Sequence, residues 1–354
     1  MSHRTYSVDD LDAFDVLIDA RSPAEFALDH IPGAINCPVL DDEQRRVVGT
    51  TYVQVSAFEA RKIGGAMVAR NIARHLEERF AGHDAKWRPF VYCWRGGMRS
   101  GSFVTVLRSV GWDAQQLRGG YKAWRQHVVD RLPLLCGALT FRVVCGPTGS
   151  AKTRLLHALA AEGAQVLDLE GLAAHRGSVL GDVPGQAQPA QKAFETQLFH
   201  TLRGLDPARP VWVEAESRRI GRLTVPEPLI AAMHASATVE IDATLPARVD
   251  HLLRDYAWLA ADPEALATRL AALKGVVPNA ALARWQAWAR AGELLPLLTG
   301  LLAEHYDPLY ARSTGRHWAG DASTQRLQTD DLADASVAAL ARQLVGGERV
   351  PPAV

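Results

Sequence analysis

The stretch Pro89-Phe-Val-Tyr-Cys93-Trp-Arg-Gly-Gly-Met-Arg99-Ser100 decides the fold of the first part of this 354-residue chain. Its apolar start predicts a buried strand that ends on Cys93, and the helical spacing after Ser100 predicts a helix. A cysteine in a glycine-containing loop between a strand and a helix lies where backbone N–H groups converge and where the helix dipole favours an anion. We therefore expect a reactive thiolate at Cys93, although a small buried core cysteine is the alternative interpretation.

The two arginines of this loop support the interpretation as an active-site loop. Arg95 and Arg99 flank the glycines and are candidates for binding an anionic donor, because guanidinium groups bind such groups through paired hydrogen bonds. The alternative is that both side chains belong to the solvated surface. The spacing from Cys93 to Arg99 and Ser100 also fits a cysteine phosphatase, in which the arginine clamps phosphate.

The segments on either side of the Cys93 loop predict a parallel α/β sheet. Asp15-Val-Leu-Ile-Asp19 is a buried strand, and Ser22-Pro-Ala-Glu25 has the spacing of a capping box with proline at the first helical position. Residues 57–80 have apolar positions at helical spacing, and Trp112 to Leu117 is a further strand. Strands that alternate with helices form parallel sheets, which bind ligands at the carboxyl ends of their strands.

Composition limits the classes of function. The chain has 39 basic and 39 acidic residues with 48% hydrophobic residues, so tRNA or other nucleic acid would need a local basic patch. The four cysteines stand at positions 37, 93, 136 and 145 without CxxC spacing, so we predict no bound metal and a reducing, cytoplasmic environment. No apolar run reaches the length of a membrane span, the first seven residues lack the apolar segment of a signal peptide, and no oligomeric state is predicted.

The second part of the chain is organised around a phosphate-binding loop. Leu139-Thr-Phe-Arg-Val-Val-Cys145 predicts a strand that enters Gly146-Pro-Thr-Gly-Ser-Ala-Lys152-Thr153, and a helix follows from Arg154 to Ala161. This matches Gly-x4-Gly-Lys-[Ser/Thr] except that Ala151 replaces the second glycine. Loop amides wrap a phosphate in such motifs, the lysine reaches its outer oxygens and the hydroxyl can hold Mg²⁺. The following list gives the predicted phosphate- or diphosphate-binding residues: Gly146, Thr148, Gly149, Ser150, Lys152 and Thr153.

Two acids follow a later strand of this second part. Pro210-Val-Trp-Val-Glu214-Ala-Glu216 ends where a Walker-B acid would stand, so Glu214 or Glu216 is a candidate Mg²⁺ ligand or base. The alternative is that one of them only pairs with Arg218 or Arg219. We divide the chain into residues 1–131, a linker at 132–138, a P-loop α/β domain with a helical part at 139–322, and a C-terminal helix and tail at 323–354, the helix running from Leu327 to Leu344.

The first part resembles a rhodanese domain. The resemblance rests on three ordered motifs, which are Asp19-x-Arg21-x3-Glu25-Phe26-x3-His30-Ile-Pro-Gly-Ala-x-Asn36, the Cys93 loop, and Leu117-x-Gly119-Gly-x-x-Ala-Trp124. Rhodaneses carry sulfur, or in some branches selenium, on the loop cysteine, and the resemblance assigns that role to Cys93. The flanking motifs favour a rhodanese over a phosphatase.

The two parts together resemble the selenophosphate-dependent tRNA 2-selenouridine synthase family. The strings that carry this resemblance are Leu40-Asp-Asp-Glu43, Cys93-Trp-Arg-Gly-Gly97, Leu169-Glu-Gly-Leu172, His175-Arg-Gly-Ser178, Glu214-Ala-Glu-Ser-Arg218 and Tyr306-Asp-Pro-x-Tyr310. They span positions 15 to about 312. Ala151 is the main departure from the pattern, and it questions nucleotide-type binding more than membership.

This resemblance implies a transferase that replaces the sulfur of wobble 2-thiouridine in tRNA by selenium. Geranyl diphosphate first alkylates the sulfur, and selenium from selenophosphate then displaces the S-geranyl group. Cys93 would carry selenium in an S-selanylcysteine-type intermediate and the P-loop would hold the prenyl diphosphate, with Arg218 and Arg219 as candidate tRNA contacts. We predict no tightly bound cofactor and allow Mg²⁺. The alternatives are a rhodanese-type sulfurtransferase or a cysteine phosphatase with a P-loop partner domain, and a non-catalytic adaptor with a degenerate rhodanese domain.

Overall fold

The structure is a computed structural model that describes residues 6–178, 180–183, 185–317 and 324–348. Its internal contacts divide the chain into two compact units. The first comprises Met1–Leu132 with Pro189–His200, and the second comprises Pro133–Gln188 with Thr201–Val354. The tail at 349–354 lies outside the described residues.

The first unit is built on a parallel sheet of four described strands in the order β2-β1-β3-β4. These strands are β1 (Val16–Asp19), β2 (Ile35–Asn36), β3 (Pro89–Tyr92) and β4 (Gln115–Gln116). All four residues of β3 are buried, as expected for a central strand covered on both faces. The predicted parallel α/β architecture is confirmed for this unit.

Helices surround this sheet. They are α1 (Pro23–Leu28), α2 (Asp42–Gln54), α3 (Ala57–His75), α4 (Met98–Val110) and α5 (Gly120–Ala138), with short 3-10 or π turns at Val8–Ala13 and Leu76–Phe80. Ile18, Val91, Phe103 and Leu107 are fully buried and join the sheet to α4 in one core. The residues around Cys93 are therefore held by the best-packed part of the unit.

The second unit has a parallel sheet of five described strands in the order β11-β10-β5-β7-β6. The strands of this unit are β5 (Phe141–Cys145), β6 (Gln165–Leu167), β7 (Val211–Glu214), the antiparallel pair β8 (Arg219–Ile220) and β9 (Leu223–Thr224), β10 (Ala237–Ala243) and β11 (Gln325–Thr329). The central strand β5 leads directly into the phosphate-binding loop. This is the position at which open α/β sheets bind ligands.

The remaining helices follow in chain order. They are α6 (Lys152–Ala161), α7 (Leu169–Ala173), α8 (Gln191–Arg203), α9 (Glu227–His234), α10 (Leu245–Asp255), α11 (Pro263–Leu270), α12 (Asn279–Arg290), α13 (Leu294–Leu301), α14 (Asp307–His317) and α15 (Asp334–Glu348), with 3-10 or π turns at Ala257–Ala261, Ala271–Leu273 and Leu302–Tyr306. The helices from α10 onward to Tyr306 share a second core around the fully buried Trp285. This core forms the helical part expected for the P-loop domain.

The structure differs from the sequence-based division at the C-terminus. The predicted helix from Leu327 to Leu344 is wrong in its first part, because residues 325–329 form strand β11 and the helix begins only at Asp334. Leu327 is buried and pairs with Ile241 at the edge of the sheet, and helical phasing over such a short run does not distinguish a strand from a helix. Residues 324–348 are thus part of the second unit rather than a separate appendage.

Two further segments depart from that division. Residues 189–200 belong to the first unit, although the sequence-based boundaries assign them to the P-loop domain. The reason is the packing of α8 on α5, where Arg125 pairs with Glu195 and the rings of Trp124 and Phe199 meet edge to face at 5.6 Å. The interval predicted as a linker, 132–138, is the last part of α5, with Pro133 inside the helix.

Candidate functional sites

The Cys93 thiol occupies the expected place at the carboxyl end of β3, just before α4 begins. It is 3% exposed, and its Sγ accepts a hydrogen bond from the hydroxyl of Ser100 at 3.0 Å. The side-chain amide of Gln116 donates in turn to the Ser100 oxygen at 2.8 Å. The Ser100 hydroxyl also lies 3.3 Å from the Gly97 carbonyl oxygen, which is a second acceptor for its proton and lies 4.0 Å from the Cys93 sulfur. The sequence did not predict this relay, since a glutamine on a two-residue strand carries no recognisable motif.

The turn before α5 fixes the Cys93 loop from the other side. The backbone N–H groups of Tyr121 and Lys122 donate to the carbonyl oxygens of Cys93 and Trp94 at 2.8 and 3.0 Å. Gly120 has a φ of +58°, and a Cβ there would lie 2.3 Å from the Cys93 carbonyl oxygen. The second glycine of the Gly119-Gly120 motif is therefore required by the close approach of two backbones.

The two loop arginines have different surroundings. Arg99 is half-buried and forms an ion pair with Glu25, with 2.6 Å between Nη1 and Oε2. Burial acts to raise the pKa of the Glu25 carboxyl, but the hydrogen bond and charge of Arg99 outweigh it and hold that pKa below its ordinary value. Arg95 is exposed and has no side-chain partner among the described residues. Arg95 is thus the loop arginine that is available to an incoming anion.

A buried ion pair supports the sheet beneath this loop. Asp19 and Arg21 are almost completely buried, and the guanidinium makes a bidentate contact with the carboxylate at 2.6 to 3.0 Å. Arg21 also donates to the carbonyl oxygen of Asp29 at 2.7 Å and lies 3.9 Å from the ring centroid of Tyr121. The Asp19-x-Arg21 motif therefore has a structural role, because its charges are satisfied within the protein and closed to solvent.

The phosphate-binding loop has the strand–loop–helix context that the sequence predicts. Lys152 begins α6, and its ammonium group donates to the carbonyl oxygen of Gly146 at 2.9 Å. Gly149 has a φ of +83° and packs against Leu252. Ala151 adopts a left-handed conformation with φ 59° and ψ 31° at the N-cap of α6. This conformation explains why the general motif has glycine there, since a Cβ in this region costs about 1 kcal/mol or more.

The other loop residues line the same space. Ser150 is fully buried, and its hydroxyl has no hydrogen-bond partner among the described residues. Thr148 accepts a hydrogen bond at its carbonyl oxygen from Arg248, which is buried and paired with Asp307 at 2.7 Å. Arg248 therefore supports the loop from behind.

Three glutamates meet beside the loop. The Thr153 hydroxyl donates to Glu170 at 2.9 Å, and the Glu170 N–H donates to Glu214 at 3.0 Å. Glu216 is the third member and shares a side-chain hydrogen bond with Glu170. The sequence predicted Glu214 and Glu216 as site residues but not Glu170, which lies in α7 and stands in the sequence only within the string Leu169-Glu-Gly-Leu172.

Burial and mutual repulsion perturb these carboxyl groups. Burial, followed by the charges of Glu170, Asp168 and Glu216, raises the pKa of Glu214 well above its ordinary value. Burial and the charge of Glu170 raise the pKa of Glu216 to about 8, against an opposing effect of Lys152. Neighbouring carboxyl groups with raised pKa values mark a candidate acid–base site, or an anionic site that a cation would complete.

The donor chemistry fits a Mg²⁺ ion that arrives with a phosphorylated ligand. Mg²⁺ is commonly held by one or two carboxylates together with phosphate oxygens, and the Thr153 hydroxyl and the carboxylates of Glu170 and Glu216 are of the required type. Among the described residues, no group of three or more His, Cys, Asp or Glu is arranged to hold a metal by itself. Any such ion would therefore depend on the phosphate oxygens of a ligand.

A cavity of about 650 Å³ extends from the phosphate-binding loop. The loop, Glu170 and Glu216 line one part of it, and Leu252, Tyr256 and Tyr306 line another. The cavity thus combines amide and ammonium donors for an anion with apolar and aromatic side chains for an organic group.

The arginines suggested as tRNA contacts lie on a surface turn of the second unit. Arg218 forms an exposed ion pair with Glu227 at 2.7 Å, and Arg219 is exposed at the start of β8. Glu214 and Glu216 do not pair with either of them, so the alternative in which these acids only neutralise a neighbouring arginine is not what the structure has. A role of Arg218 and Arg219 in binding tRNA stays a prediction.

Two family models match the chain. One is described as the tRNA 2-selenouridine synthase AAA domain and matches residues 139–274, and the other is described as a rhodanese-like domain and matches residues 7–127. The two matches fall on the P-loop site and on the Cys93 site. Within the described part of the chain, no helix has both the length and the apolar composition of a membrane crossing.

Named relatives agree with these matches. A tRNA 2-selenouridine synthase from Nitrosomonas europaea is 37% identical over 264 residues, covering 72% of this chain and 68% of the relative. One from Cupriavidus necator is 37% identical over 328 residues, covering 83% of this chain and 87% of the relative. One from Bdellovibrio bacteriovorus is 37% identical over 255 residues, covering 68% of this chain and 64% of the relative. This chain, with its rhodanese-like thiol site and its P-loop site, belongs to the tRNA 2-selenouridine synthase family.

Proposed function

We propose that this protein replaces the sulfur of 2-thiouridine in tRNA by selenium, in two steps that use two sites. The observation that carries the proposal is that one chain of this family holds both a hydrogen-bonded thiol at a strand end and a phosphate loop beside an organic-lined cavity. A single-site sulfurtransferase has no use for the second site. A two-step exchange needs both.

The P-loop site would bind geranyl diphosphate. Gly146, Lys152 and the neighbouring loop amides would hold the diphosphate, and the wall at Leu252, Tyr256 and Tyr306 would receive the prenyl chain. The uridine sulfur attacks the first prenyl carbon, the carbon–oxygen bond breaks and diphosphate leaves. Alkylation is useful because a thione sulfur departs poorly, whereas an alkylated sulfur departs as a thiol. Mg²⁺ held by Thr153 and the glutamates would supply positive charge to the departing diphosphate.

The Cys93 site would handle selenium from selenophosphate. In the overall second step, water releases phosphate from the donor, a carbon–selenium bond forms at C2 of the uridine, and the carbon–sulfur bond breaks to give geranyl thiol. The Ser100 hydroxyl and the N-terminus of α4 would stabilise the negative charge of the Cys93 thiolate, and Arg95 would attract the anionic donor.

The experiment that tests the proposal is mass analysis of nucleosides from thiolated tRNA, with each donor supplied separately. Cys93→Ala should retain S-geranylation and lose selenation, and unchanged 2-selenouridine would refute the role of Cys93. Lys152→Ala should lose binding of geranyl diphosphate in a calorimetric titration, because the substitution removes the ammonium group from the phosphate-binding loop. Equal binding by variant and wild type would refute the role of the P-loop. Lys274→Ala is a control that removes a lysine outside the loop.

Two further assays separate the alternatives. A cysteine phosphatase needs an arginine that clamps phosphate, whereas Glu25 holds Arg99 at 2.6 Å. Turnover of phosphotyrosine that Cys93→Ser abolishes would favour the phosphatase. An adaptor would give no modified nucleoside with any donor.

A further inference from the structure

An exposed apolar patch lies at the turn between α2 and α3 in the first unit. Tyr52 and Phe58 are 61% and 66% exposed, and Val53 and Val55 are more exposed still. Helix α2 has no fully buried residue; its half-buried side, which includes Val48, packs against Gly64 of α3, whereas Tyr52 and Val53 are left in solvent. Large apolar side chains that cluster in solvent mark a surface that binds a partner.

Within the part of the chain that the structure describes, the acidic side chains around this patch have partners, whereas several of the basic side chains do not. Positions 41–75 contain six Lys or Arg and four Asp or Glu. All four acids are engaged, because Asp41 caps α2, Asp42 accepts the N–H of Ala24, Glu43 pairs with Arg46, and Glu59 pairs with Lys62. The exposed arginines without a side-chain partner among the described residues are Arg45, Arg61, Arg70 and Arg74.

This combination identifies the chemistry of the partner. Unpaired arginines bind phosphates, and exposed aromatic rings bind unstacked bases, which are the two features of surfaces that recognise RNA loops. The exposed positions of α3 include the small residues Gly65, Ala66 and Ala69 between Arg61 and Arg70, so a backbone of phosphates can approach the helix closely there.

The patch is also connected to the thiol site. A shallow groove of about 490 Å³ runs between Ser22 and α2, with Arg45 and Val53 on its side. The Ser22 N–H donates to Glu25 at 3.2 Å, and Glu25 holds Arg99 at the start of α4. An RNA bound along α2 would therefore reach the vicinity of the Cys93 loop within the same unit.

We infer that the exposed face of α2 and α3, formed by Tyr52, Phe58, Arg45, Arg61, Arg70 and Arg74, is the surface on which the tRNA substrate docks through its anticodon loop. The inference rests on the proposed function for the identity of the substrate. The aromatic rings stack on unpaired loop bases, and the arginines contact the flanking phosphates. The surface is distinct from Arg218 and Arg219 of the second unit.

The test is a fluorescence anisotropy titration of labelled, in vitro transcribed tRNA with the full chain at several salt concentrations. Tyr52→Ala combined with Phe58→Ala should weaken binding at least about 30-fold, since stacking on two bases is lost. Arg61→Ala combined with Arg74→Ala should weaken binding and reduce the slope of log K against log salt by about 0.7 to 0.9 for each phosphate contact removed.

Matched controls and other outcomes keep the test decisive. Val129→Ala and Arg131→Ala remove an exposed apolar side chain and an exposed arginine from α5, and should bind tRNA as wild type does. Unchanged tRNA affinity in both α2–α3 variants, with geranyl diphosphate binding retained, overturns the inference. Unchanged tRNA affinity also overturns the inference if the variants lose selenation only when an enzyme supplies the selenophosphate. In that case the surface binds a protein partner. A wild-type chain that binds tRNA at this surface but makes no 2-selenouridine from thiolated tRNA with both donors refutes the proposed function and leaves the surface standing.

Discussion

Removal of the Ser100 hydroxyl is expected to slow alkylation of Cys93 by iodoacetamide. The buried Ser100 oxygen lies 3.0 Å from Sγ and accepts a hydrogen bond from Gln116. Its hydroxyl can donate to the sulfur or to the Gly97 carbonyl oxygen at 3.3 Å, and the sulfur is the nearer acceptor. Ser100→Ala removes this donor and puts no other polar group in its place. The thiolate loses stabilisation that the neutral thiol does not need.

The size of the effect follows from the strength of a hydrogen bond to a charged group, about 1.5 to 3 kcal/mol. Loss of that energy disfavours the attacking thiolate, and by itself it would slow alkylation by about 10- to 150-fold. A less stabilised thiolate is more nucleophilic, with a Brønsted coefficient of about 0.4 to 0.5, and this returns about half of the loss on a logarithmic scale. We therefore expect the rate to fall by about 4- to 16-fold.

The assay is mass spectrometry of the Cys93 peptide after timed alkylation at several pH values. The other thiols interfere little, because burial raises the pKa of Cys136 to about 11, of Cys145 to about 12, and that of Cys37 above its ordinary value. Ser109→Ala is the matched control, since its hydroxyl bonds only the carbonyl of Val106 on the same helix. Equal rates for Ser100→Ala and wild type at every pH would refute the reasoning.

Three further predictions concern the pH dependence, the buried ion pair and the turn before α5. Because burial and Glu170 raise the pKa of Glu216 to about 8 from an ordinary 4.5, the folded protein holds a proton that the unfolded chain releases. The free energy of unfolding, measured with urea, should therefore fall as the pH rises from about 5 to about 8. Glu216→Gln should flatten this fall, whereas the control Glu264→Gln, at an exposed position, should not. Arg21→Met leaves Asp19 charged and buried, so the unfolding free energy should drop by about 3 to 5 kcal/mol, and a loss below about 1 kcal/mol would contradict the structural role. Gly120→Ala should abolish selenation and spare geranyl diphosphate binding, because the new Cβ would lie 2.3 Å from the Cys93 carbonyl oxygen. The control Gly137→Ala, whose Cβ would meet no neighbour, should spare both activities.

The features that the sequence predicted correctly are those that short segments encode. The strand before Cys93 and the strand before Gly146 were recognisable because an apolar run, a glycine-containing loop and a helical pattern stand next to one another in the chain. The parallel α/β architecture of both units follows from that alternation. Membership of the family followed from motifs spread over most of the chain.

The features that the sequence did not reveal depend on contacts between distant positions. Glu25 holds Arg99 across 74 positions, and this pairing decides that Arg95 is the available arginine. Residues 189–200 pack on α5 through side chains that have no shared motif. Strand β11 was mistaken for the start of a helix because its single buried side chain, Leu327, gives no periodicity of its own.

The conformation of Ala151 has a consequence for finding such proteins in genomes. The loop requires a left-handed residue before Lys152, and alanine meets this requirement at a modest cost. A text search that insists on glycine at this position would pass over the chain, although its backbone follows the path that glycine is normally needed to provide. The useful descriptor of this loop is a left-handed backbone conformation that tolerates a small side chain. Glycine is the commonest residue that adopts it.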